Sequence, residues 1–363
     1  MTGEIIVGSS STNPFPPILR VGYNTYMNII PVFLPHEGCE SHCTFCNEYS
    51  ATGLKKLPVR EEILSTVQRY LLYFVDKNNV ELAFYGGTFT GSKRQKIYLD
   101  IGLELFERKV IKGIRFSTSP GQFNREKALL LRNYPISLVE LGVQSFDPLV
   151  LKLSNRDHGV KEIYSATKVL KDFSIPFGLH LMTGLPGDNH AKDLISSLEA
   201  VRTGAVSVRL HPLVILKDSL LAQDFVRGLF SPPGLEESLE ILWKMYLIIN
   251  GAGVVVNRIG VCLYGNEIKN VVAGPYHPAL GELVRNRLML EVLREHHRLG
   301  GSDHIALDKS HKGDFTGHRR YVIVTASNEG IIVQFRENGL RLDVESYLNS
   351  IRERLLGGIY AQT

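Results

Sequence analysis

The sequence predicts an α/β fold built from parallel βαβ units. Predicted strands and helices alternate from residue 28 to about residue 260, at roughly 25 to 35 residues per unit. The predicted strands are short apolar runs, and most end in glycine-rich or hydroxyl-rich turns. The alternation stops beyond residue 260. Periodicity alone does not separate a barrel from an open doubly wound sheet.

The apolar runs of the repeating region have the length of buried strands. We predict strands at residues 28–34, 80–85, 113–117, 136–141, 176–182, 205–210 and 253–258.

The helices of this region are predicted from helical periodicity. In the first, Ile63, Val67, Leu71 and Phe74 fall on one face, and Asn124 is a plausible cap for the third. We predict helices at residues 60–75, 94–108, 124–132, 160–172, 191–201 and 235–250.

The flanking regions follow different patterns. Residues 1–27 are rich in Ser, Pro, Asn and Gly and are predicted to be an irregular segment. Arg20, Tyr23, Asn24 and Tyr26 lie in it, and we expect an arm packed on the barrel rather than a substrate contact. Residues 28–260 form the repeating domain, and 261–363 a small α+β appendage. There we predict helices at 279–298 and 344–356, and strands at 305–307, 320–325 and 330–336, the last two joined by a turn.

The composition is that of an ordinary globular protein, with 363 residues, 44% of them hydrophobic and 21% charged. No run of 18 apolar residues predicts a membrane span, and no basic segment before an apolar core predicts a signal peptide. The net charge of +4 is far from that of a dedicated nucleic-acid binder. The cysteine pattern is unlike a secreted disulfide framework, so we expect a reducing, cytoplasmic location.

The residues most suited to chemistry are three cysteines within eight residues. Cys39, Cys43 and Cys46 follow the first strand with the spacing C-x3-C-x2-C. Thiolates suit zinc, copper(I) and iron–sulfur clusters. Zinc stays possible, because His36 or His42 can complete a closed set of four ligands. A four-iron cluster held by three cysteines instead leaves one iron open for a substrate or cofactor.

The spacing and its flanks resemble the radical S-adenosylmethionine (radical SAM) enzymes. Four more motifs occur in the expected order: Gly86-Gly87-Thr88-Phe89-Thr90, Ser117-Thr118, Gly142-Val143-Gln144-Ser145 and Gly184-Leu185-Pro186-Gly187. Thr88 replaces the glutamate of the general Gly-Gly-Glu pattern, as in the branch of the Elongator catalytic subunit; coproporphyrinogen-oxidase-like proteins are also similar. The resemblance implies a partial, six-stranded (β/α) barrel. It does not extend to the acetyltransferase domain of the Elongator subunit, because residues 261–363 are too few and lack its glycine-rich loop.

The resemblance also implies a [4Fe-4S] cluster and S-adenosylmethionine as cofactors. Cys39, Cys43 and Cys46 are then the cluster ligands, with Phe45 beside the adenine or simply in the core. Gly86, Gly87 and Thr88 are placed at the methionyl amino group. The remaining candidates for cofactor binding, each with a purely structural alternative, are Ser117, Thr118, Gln144, Arg156 and Met182.

Other polar residues occur near the predicted strand ends. His180 is interpreted as a structural histidine rather than a proton carrier. Arg209 and His211 point to the substrate side if they face inward. Cys262 stands alone, and we expect it to be a small hydrophobe.

The activity implied by the resemblance is reductive cleavage of S-adenosylmethionine to a 5′-deoxyadenosyl radical that modifies a substrate. The expected electron donor is a flavodoxin or ferredoxin. The substrate is a tRNA or a small molecule such as a tetrapyrrole. Slight support for RNA comes from basic residues of the appendage, although a solvated turn explains them as well: Lys309, His311, Lys312, His318, Arg319 and Arg320. A non-catalytic zinc- or cluster-binding module is the alternative from another class.

Overall fold

The structure is a computed structural model that describes residues 27–263 and 265–361. The predicted N-terminal segment falls outside the described residues except for its last position. Its candidate contacts Arg20, Tyr23, Asn24 and Tyr26 are therefore outside them too.

In the described part of the chain, seven parallel strands form one sheet in the order β1-β2-β3-β4-β5-β6-β8, curled into a half-barrel. The predicted partial barrel is confirmed, with seven strands instead of six because the last short strand joins the sheet. The strands of the described residues are β1 (Asn28–Phe33), β2 (Val80–Tyr85), β3 (Gly113–Thr118), β4 (Ile136–Gln144), β5 (Phe177–Thr183), β6 (Ser207–Pro212), β7 (Ile215–Leu216), β8 (Val255–Ile259), β9 (Val271–Ala273), β10 (His304–Asp308) and β11 (Ile332–Arg336).

Helices connect the strands and cover one face of the sheet. The cap predicted at Asn124 is present, since its side chain accepts a hydrogen bond from the Lys127 N–H. The helices of the described residues are α1 (Glu48–Thr52), α2 (Arg60–Tyr73), α3 (Gln95–Glu107), α4 (Arg125–Leu131), α5 (Pro148–Leu153), α6 (Val160–Asp172), α7 (His190–Arg202), α8 (Leu220–Val226), α9 (Leu235–Gly251), α10 (Leu280–Arg298), α11 (Lys312–Thr316), α12 (Tyr321–Asn328) and α13 (Val344–Tyr360).

The two faces of the sheet differ in chemistry. Successive side chains of a strand point to opposite faces, so each strand contributes to both. The outer face packs against the helices and is fully buried and apolar; it includes Leu82, Phe84, Ile114, Phe116, Val139, Leu141, Leu179, Leu181, Val208 and Leu210. The inner face carries charged residues instead. The main core therefore lies between sheet and helices, and the inside of the half-barrel is polar.

Ion pairs on the inner face reveal how strongly the sheet curls. Arg209 of β6 lies 2.8 Å from the Glu140 carboxylate of β4 and donates a 2.7 Å hydrogen bond to the Tyr85 hydroxyl of β2. In a flat sheet β2 and β6 would be about 19 Å apart, since neighbouring strands are spaced by about 4.8 Å. Only a curled sheet brings these side chains together. A second pair joins Glu81 to Arg115 at 2.8 Å.

The C-terminal appendage corrects one prediction. Residues 320–325 do not form a strand, because Tyr321–Asn328 is helix α12. The β-branched run around Val322 favours a strand locally. However, Val322 and Ala326 are one helical turn apart, and both are buried where α12 packs against α10. Consequently β10 and β11 are parallel strands connected through α12, and not a hairpin.

Among the described helices, none is both long and apolar enough to cross a membrane bilayer.

The inner ion pair generates a stability prediction. Burial alone would raise the pKa of Glu140, but the His180 imidazole 3.7 Å away and the positive charge of Arg209 outweigh it and lower the pKa to about 2. Burial also lowers the pKa of His180, so this imidazole is neutral at pH 7 and Arg209 is the effective partner. We expect Glu140→Gln to lower the free energy of unfolding at pH 7 by about 3 kcal/mol.

The difference in unfolding free energy between the wild type and Glu140→Gln should have its full size above about pH 4.5 and decrease towards pH 2. The reason is that Glu140, with its lowered pKa, stabilises the folded protein only while its carboxylate is ionised. Urea denaturation at several pH values measures it. Asp100→Asn, which removes an exposed pair with Lys96, is the control and should change little. An equal effect of the two substitutions would contradict the interpretation.

Candidate metal and cofactor site

The three clustered cysteines lie in the loop between β1 and α1, and none forms a disulfide. Burial raises the pKa of Cys39 to about 11, although a hydrogen bond with Thr88 lowers it somewhat. Burial also raises the pKa of Cys46 well above its usual value, and the charges of Glu48, Cys43 and Cys39 raise it further. The sulfurs are thus within electrostatic reach of one another. Because metals bind thiolates, metal binding here must release protons.

The cysteine loop packs directly on the glycine loop that follows β2. The Thr88 N–H donates to the Glu37 carbonyl at 2.7 Å, and the Thr88 hydroxyl lies 3.5 Å from Cys39 Sγ. Gly38 and Gly87 have φ of +74° and +62°, and a Cβ atom on either would lie within 2.3 Å of a backbone oxygen of the other loop. Both positions therefore require glycine. Of the predicted residues, Thr88 contacts Cys39, and Gly87 contacts the backbone of Glu37.

Glu48 joins the two loops and was missed in the sequence. Its carboxylate accepts hydrogen bonds from the Gly87 N–H at 2.7 and 2.8 Å and from the His36 N–H at 2.5 Å. Its own N–H donates to His36 Nε2 at 3.1 Å. The sequence signal was an acidic residue two positions after the last cysteine, at the first residue of α1. This carboxylate fixes both ends of the cysteine loop against the end of β2.

A second support comes from the segment after α5. Asn155 donates to the His42 carbonyl at 2.8 Å. Arg156 donates through Nη1 to Cys43 Sγ at 2.8 Å and through Nη2 to the Gly142 carbonyl at 2.6 Å. Its Nε is buried without a partner among the described residues. The predicted residue Arg156 is thus part of the site and not a surface arginine.

Gln144 stands beside Arg156 at the end of β4. A Cβ atom on Gly142 would lie 2.9 Å from the Gln144 amide nitrogen and 3.5 Å from Arg156 Nη2, so both side chains cluster over this glycine. Gln144 has φ +67° at an irregularity in the pairing of β4 with β5. A left-handed conformation in a residue other than glycine costs about 1–3 kcal/mol and is often found at functional sites.

The other predicted cofactor residues are used differently. The Thr118 side chain is buried and its hydroxyl lies 2.5 Å from that of Thr90, whereas Ser117 lies half-buried on the inner face. Phe45 and Met182 pack on a small apolar cluster that contains Leu213 and is separate from the main core. These contacts agree with the structural alternative for Phe45 and Met182, which is packing in an apolar cluster, here beside the cysteine loop.

Further polar residues line the inner face below the site. His180 and His211 stand edge to face with ring centres 5.9 Å apart, and burial lowers the pKa of both. Arg209 faces inward, as the substrate-side interpretation required, but it is paired with Glu140. Cys262 is exposed and accepts a hydrogen bond from Arg258, so it is not a buried hydrophobe.

The donor set can be compared with the two kinds of metal centre. Within residues 27–263 and 265–361, no three or more His, Cys, Asp or Glu side chains are grouped in a way that could hold a single metal ion. His36 Nε2 is already bonded to the Glu48 N–H, which disfavours it as a zinc ligand. Three partly buried thiols, one of them with a guanidinium donor on its sulfur, suit a cluster, whose potential depends on such hydrogen bonds. The residues present therefore fit an iron–sulfur cluster better than a closed zinc site.

The contact between the loops leads to a prediction. Gly87→Ala should lower the free energy of unfolding by about 2 kcal/mol or more, because the φ is positive and the added Cβ would lie 2.2 Å from the Glu37 carbonyl oxygen. Gly313→Ala is the matched control, since nothing lies within 4 Å of the added atom and alanine favours its helix. Chemical denaturation of the metal-free proteins measures both. Equal stability of the two variants would contradict the described packing.

Comparisons with known proteins agree with this geometry. Residues 33–198 match the family described as the Radical SAM superfamily, and residues 206–289 match the Radical SAM C-terminal domain. A tRNA uridine(34) acetyltransferase of Dehalococcoides mccartyi is 26% identical over an alignment of 230 residues, and the match covers 53% of this chain and 50% of that protein. Protein YhcC of Escherichia coli is 26% identical over an alignment of 207 residues, and the match covers 54% of this chain and 63% of that protein.

A solved structure shares the fold. The archaeal Methanocaldococcus infernus Elp3 superposes with a TM-score of 0.54 at 21% sequence identity, covering 76% of this chain and 63% of that one. The chain thus spans about half to two thirds of the length of these relatives. The family matches and the cysteine loop lead to one conclusion: this chain belongs to the radical SAM superfamily.

Proposed function

We propose that this protein is an enzyme that reductively cleaves S-adenosylmethionine at a [4Fe-4S] cluster held by Cys39, Cys43 and Cys46. One observation carries the proposal: three free thiols lie in a loop fixed by Glu48 against the Gly86–Gly87 turn. Such cleavage is the general reaction of the superfamily. When bound, the cluster supplies the electron that yields methionine and a 5′-deoxyadenosyl radical for hydrogen abstraction from the substrate.

The residues around the loop have roles in holding the cofactor. The two glycines allow a ligand to approach the backbone at the end of β2 closely. Arg156 offers a planar guanidinium that suits a carboxylate, and its Nε has no partner among the described residues. Gln144 adds amide donors and acceptors beside it. The binding roles of Phe45, Ser117, Thr118 and Met182 stay predictions. The structural explanation for Thr118 is its hydroxyl contact with Thr90, and for Phe45 and Met182 it is apolar packing.

The activity has a direct test. After anaerobic reconstitution we expect about four iron atoms per chain and release of 5′-deoxyadenosine on reduction with S-adenosylmethionine. Cys39→Ser, Cys43→Ser and Cys46→Ser should each reduce the release to background. Cys262→Ser is the control with an exposed thiol outside the loop, and it should keep its cluster. Iron without 5′-deoxyadenosine in the wild type, or one zinc and no iron, would contradict the proposal.

For the substrate, we propose an RNA, and a tRNA in particular. The relative from Dehalococcoides mccartyi is named a tRNA uridine(34) acetyltransferase, and its match covers half of that protein. Two of the basic residues of the appendage have acidic neighbours: Lys309 lies 2.7 Å from Glu337, and His318 lies 3.6 Å from Glu282. Arg319 and Arg320 are exposed, and both have positive φ in consecutive positions.

RNA binding should depend on this arginine pair. We expect Arg319→Ala/Arg320→Ala to weaken binding of unfractionated tRNA and to reduce the slope of log K against log salt by about 2, one unit for each phosphate that is no longer neutralised. Lys77→Ala/Lys161→Ala removes the same charge from exposed positions and is the control. Fluorescence anisotropy at several salt concentrations measures the effect. An unchanged slope, or no binding by the wild type, would favour a tetrapyrrole or another small molecule.

Two further expectations remain predictions. A flavodoxin or ferredoxin is the expected electron donor, and the cytoplasm is the expected location.

A further inference from the structure

A cavity of about 360 Å³ lies at the carboxyl end of β5. Thr183 at the end of β5 lines it, together with the first turns of α7 and α9. Thr183 shares the helix-covered face with Leu181, whereas His180 and Met182 face inward. Thr183 thus opens the cavity towards the helices, while Leu185 and Phe230 of its lining pack in the same apolar cluster as Phe45 and Met182.

A pair of carboxyl groups forms its polar wall. Asp188 accepts hydrogen bonds from the N–H groups of Gly184 at 3.1 Å and Asn189 at 2.9 Å. Asp193 is 3% exposed, and its carboxyl group is hydrogen-bonded to that of Asp188. Burial raises the pKa of Asp193 well above its usual value, and the charge of Asp188 raises it further.

No lysine or arginine balances this pair. Among the described residues that line the cavity, the basic side chain is that of His190. The nearby Lys192 is engaged elsewhere, since its Nζ donates to the Gly187 carbonyl at 2.7 Å and lies 3.3 Å from the Asp147 carboxylate. Buried carboxylates in proteins are normally paired with a cation.

Two hydroxyl groups supply the second, independent observation. Thr183 and Ser238 are 1% and 0% exposed, both line the cavity, and neither hydroxyl has a hydrogen-bond partner among the described residues. Most buried polar groups have a partner, so two such hydroxyls in one cavity indicate a missing ligand. A hydroxyl oxygen has two lone pairs and can accept hydrogen bonds from a donor cation.

The remaining walls restrict the class of ligand. No group of three or more His, Cys, Asp or Glu side chains within the described residues is arranged around a metal ion. The volume is many times that of one water molecule, about 30 Å³. Leu185, Phe230 and Ile241 add apolar surface. These features suit an organic cation with an apolar stem.

We propose that this cavity binds a primary alkylammonium group. Its N–H donors would be shared between the Asp188–Asp193 pair and the two unpaired hydroxyls. Its alkyl stem would pack against Leu185 and Ile241. The proposal concerns a site outside the cysteine loop and does not depend on the proposed radical chemistry.

Thermal unfolding of the full-length protein in n-butylammonium chloride tests the proposal. The unfolding midpoint should rise with ligand concentration, because a ligand that binds only the folded state stabilises it. Tetramethylammonium chloride at the same ionic strength carries the same charge without N–H donors and should leave the midpoint unchanged. Asp193→Asn should weaken the apparent affinity at least tenfold, and Ser238→Ala about threefold or more. Glu236→Gln, an exposed residue of the same first turn of α9, should bind like the wild type.

Several outcomes would overturn the proposal. These are no shift with n-butylammonium, an equal shift with tetramethylammonium, or an equal shift with magnesium chloride. An undiminished affinity in both Asp193→Asn and Ser238→Ala would do the same. We expect the rise of the unfolding midpoint with n-butylammonium to persist in Cys46→Ser. This result would show that binding in the cavity does not require the cluster.

Discussion

The arrangement of the site depends on one carboxylate. Glu48 accepts the N–H groups of His36 and Gly87, and its own N–H binds the His36 imidazole. The beginning and end of the cysteine loop are thereby tied to each other and to the turn after β2. Because Gly38 and Gly87 allow the two backbones to touch, the thiols are held at the carboxyl end of a parallel strand. Ligands of parallel α/β sheets bind at this end.

Beside the loop that Glu48 fixes, the inner face of the sheet is polar. An ordinary core would fill the concave side with apolar residues, but here Glu140, Arg209 and Tyr85 connect strands that are far apart in the sheet order. A buried ion pair of this kind contributes little net stability compared with apolar packing, since desolvation offsets most of its attraction. Its presence is consistent with a half-barrel whose interior receives polar ligands. The apolar outer face, packed against helices, then accounts for most of the stability of the fold.

Much of this could be predicted from the sequence, because short apolar runs and periodic helices are local signals. The strands of the half-barrel, the Asn124 cap and the cysteine loop are of this type. Other features depend on contacts between distant residues. Helix α12 forms where β-branched residues favour a strand, because Val322 and Ala326 pack on α10. Likewise, the contact of Glu48 with Gly87 and the Thr90–Thr118 pair join residues that are 28 or more positions apart.

We propose that three thiols hold a four-iron cluster with one iron open to S-adenosylmethionine. Electron paramagnetic resonance of the reduced, reconstituted wild-type protein tests it most directly, because the spectrum of a cluster changes when a ligand joins an open iron. We expect a [4Fe-4S] signal whose g values shift when S-adenosylmethionine is added, and the loss of this signal in Cys43→Ser. A signal that is identical with and without S-adenosylmethionine, or protein that binds only zinc, would contradict it.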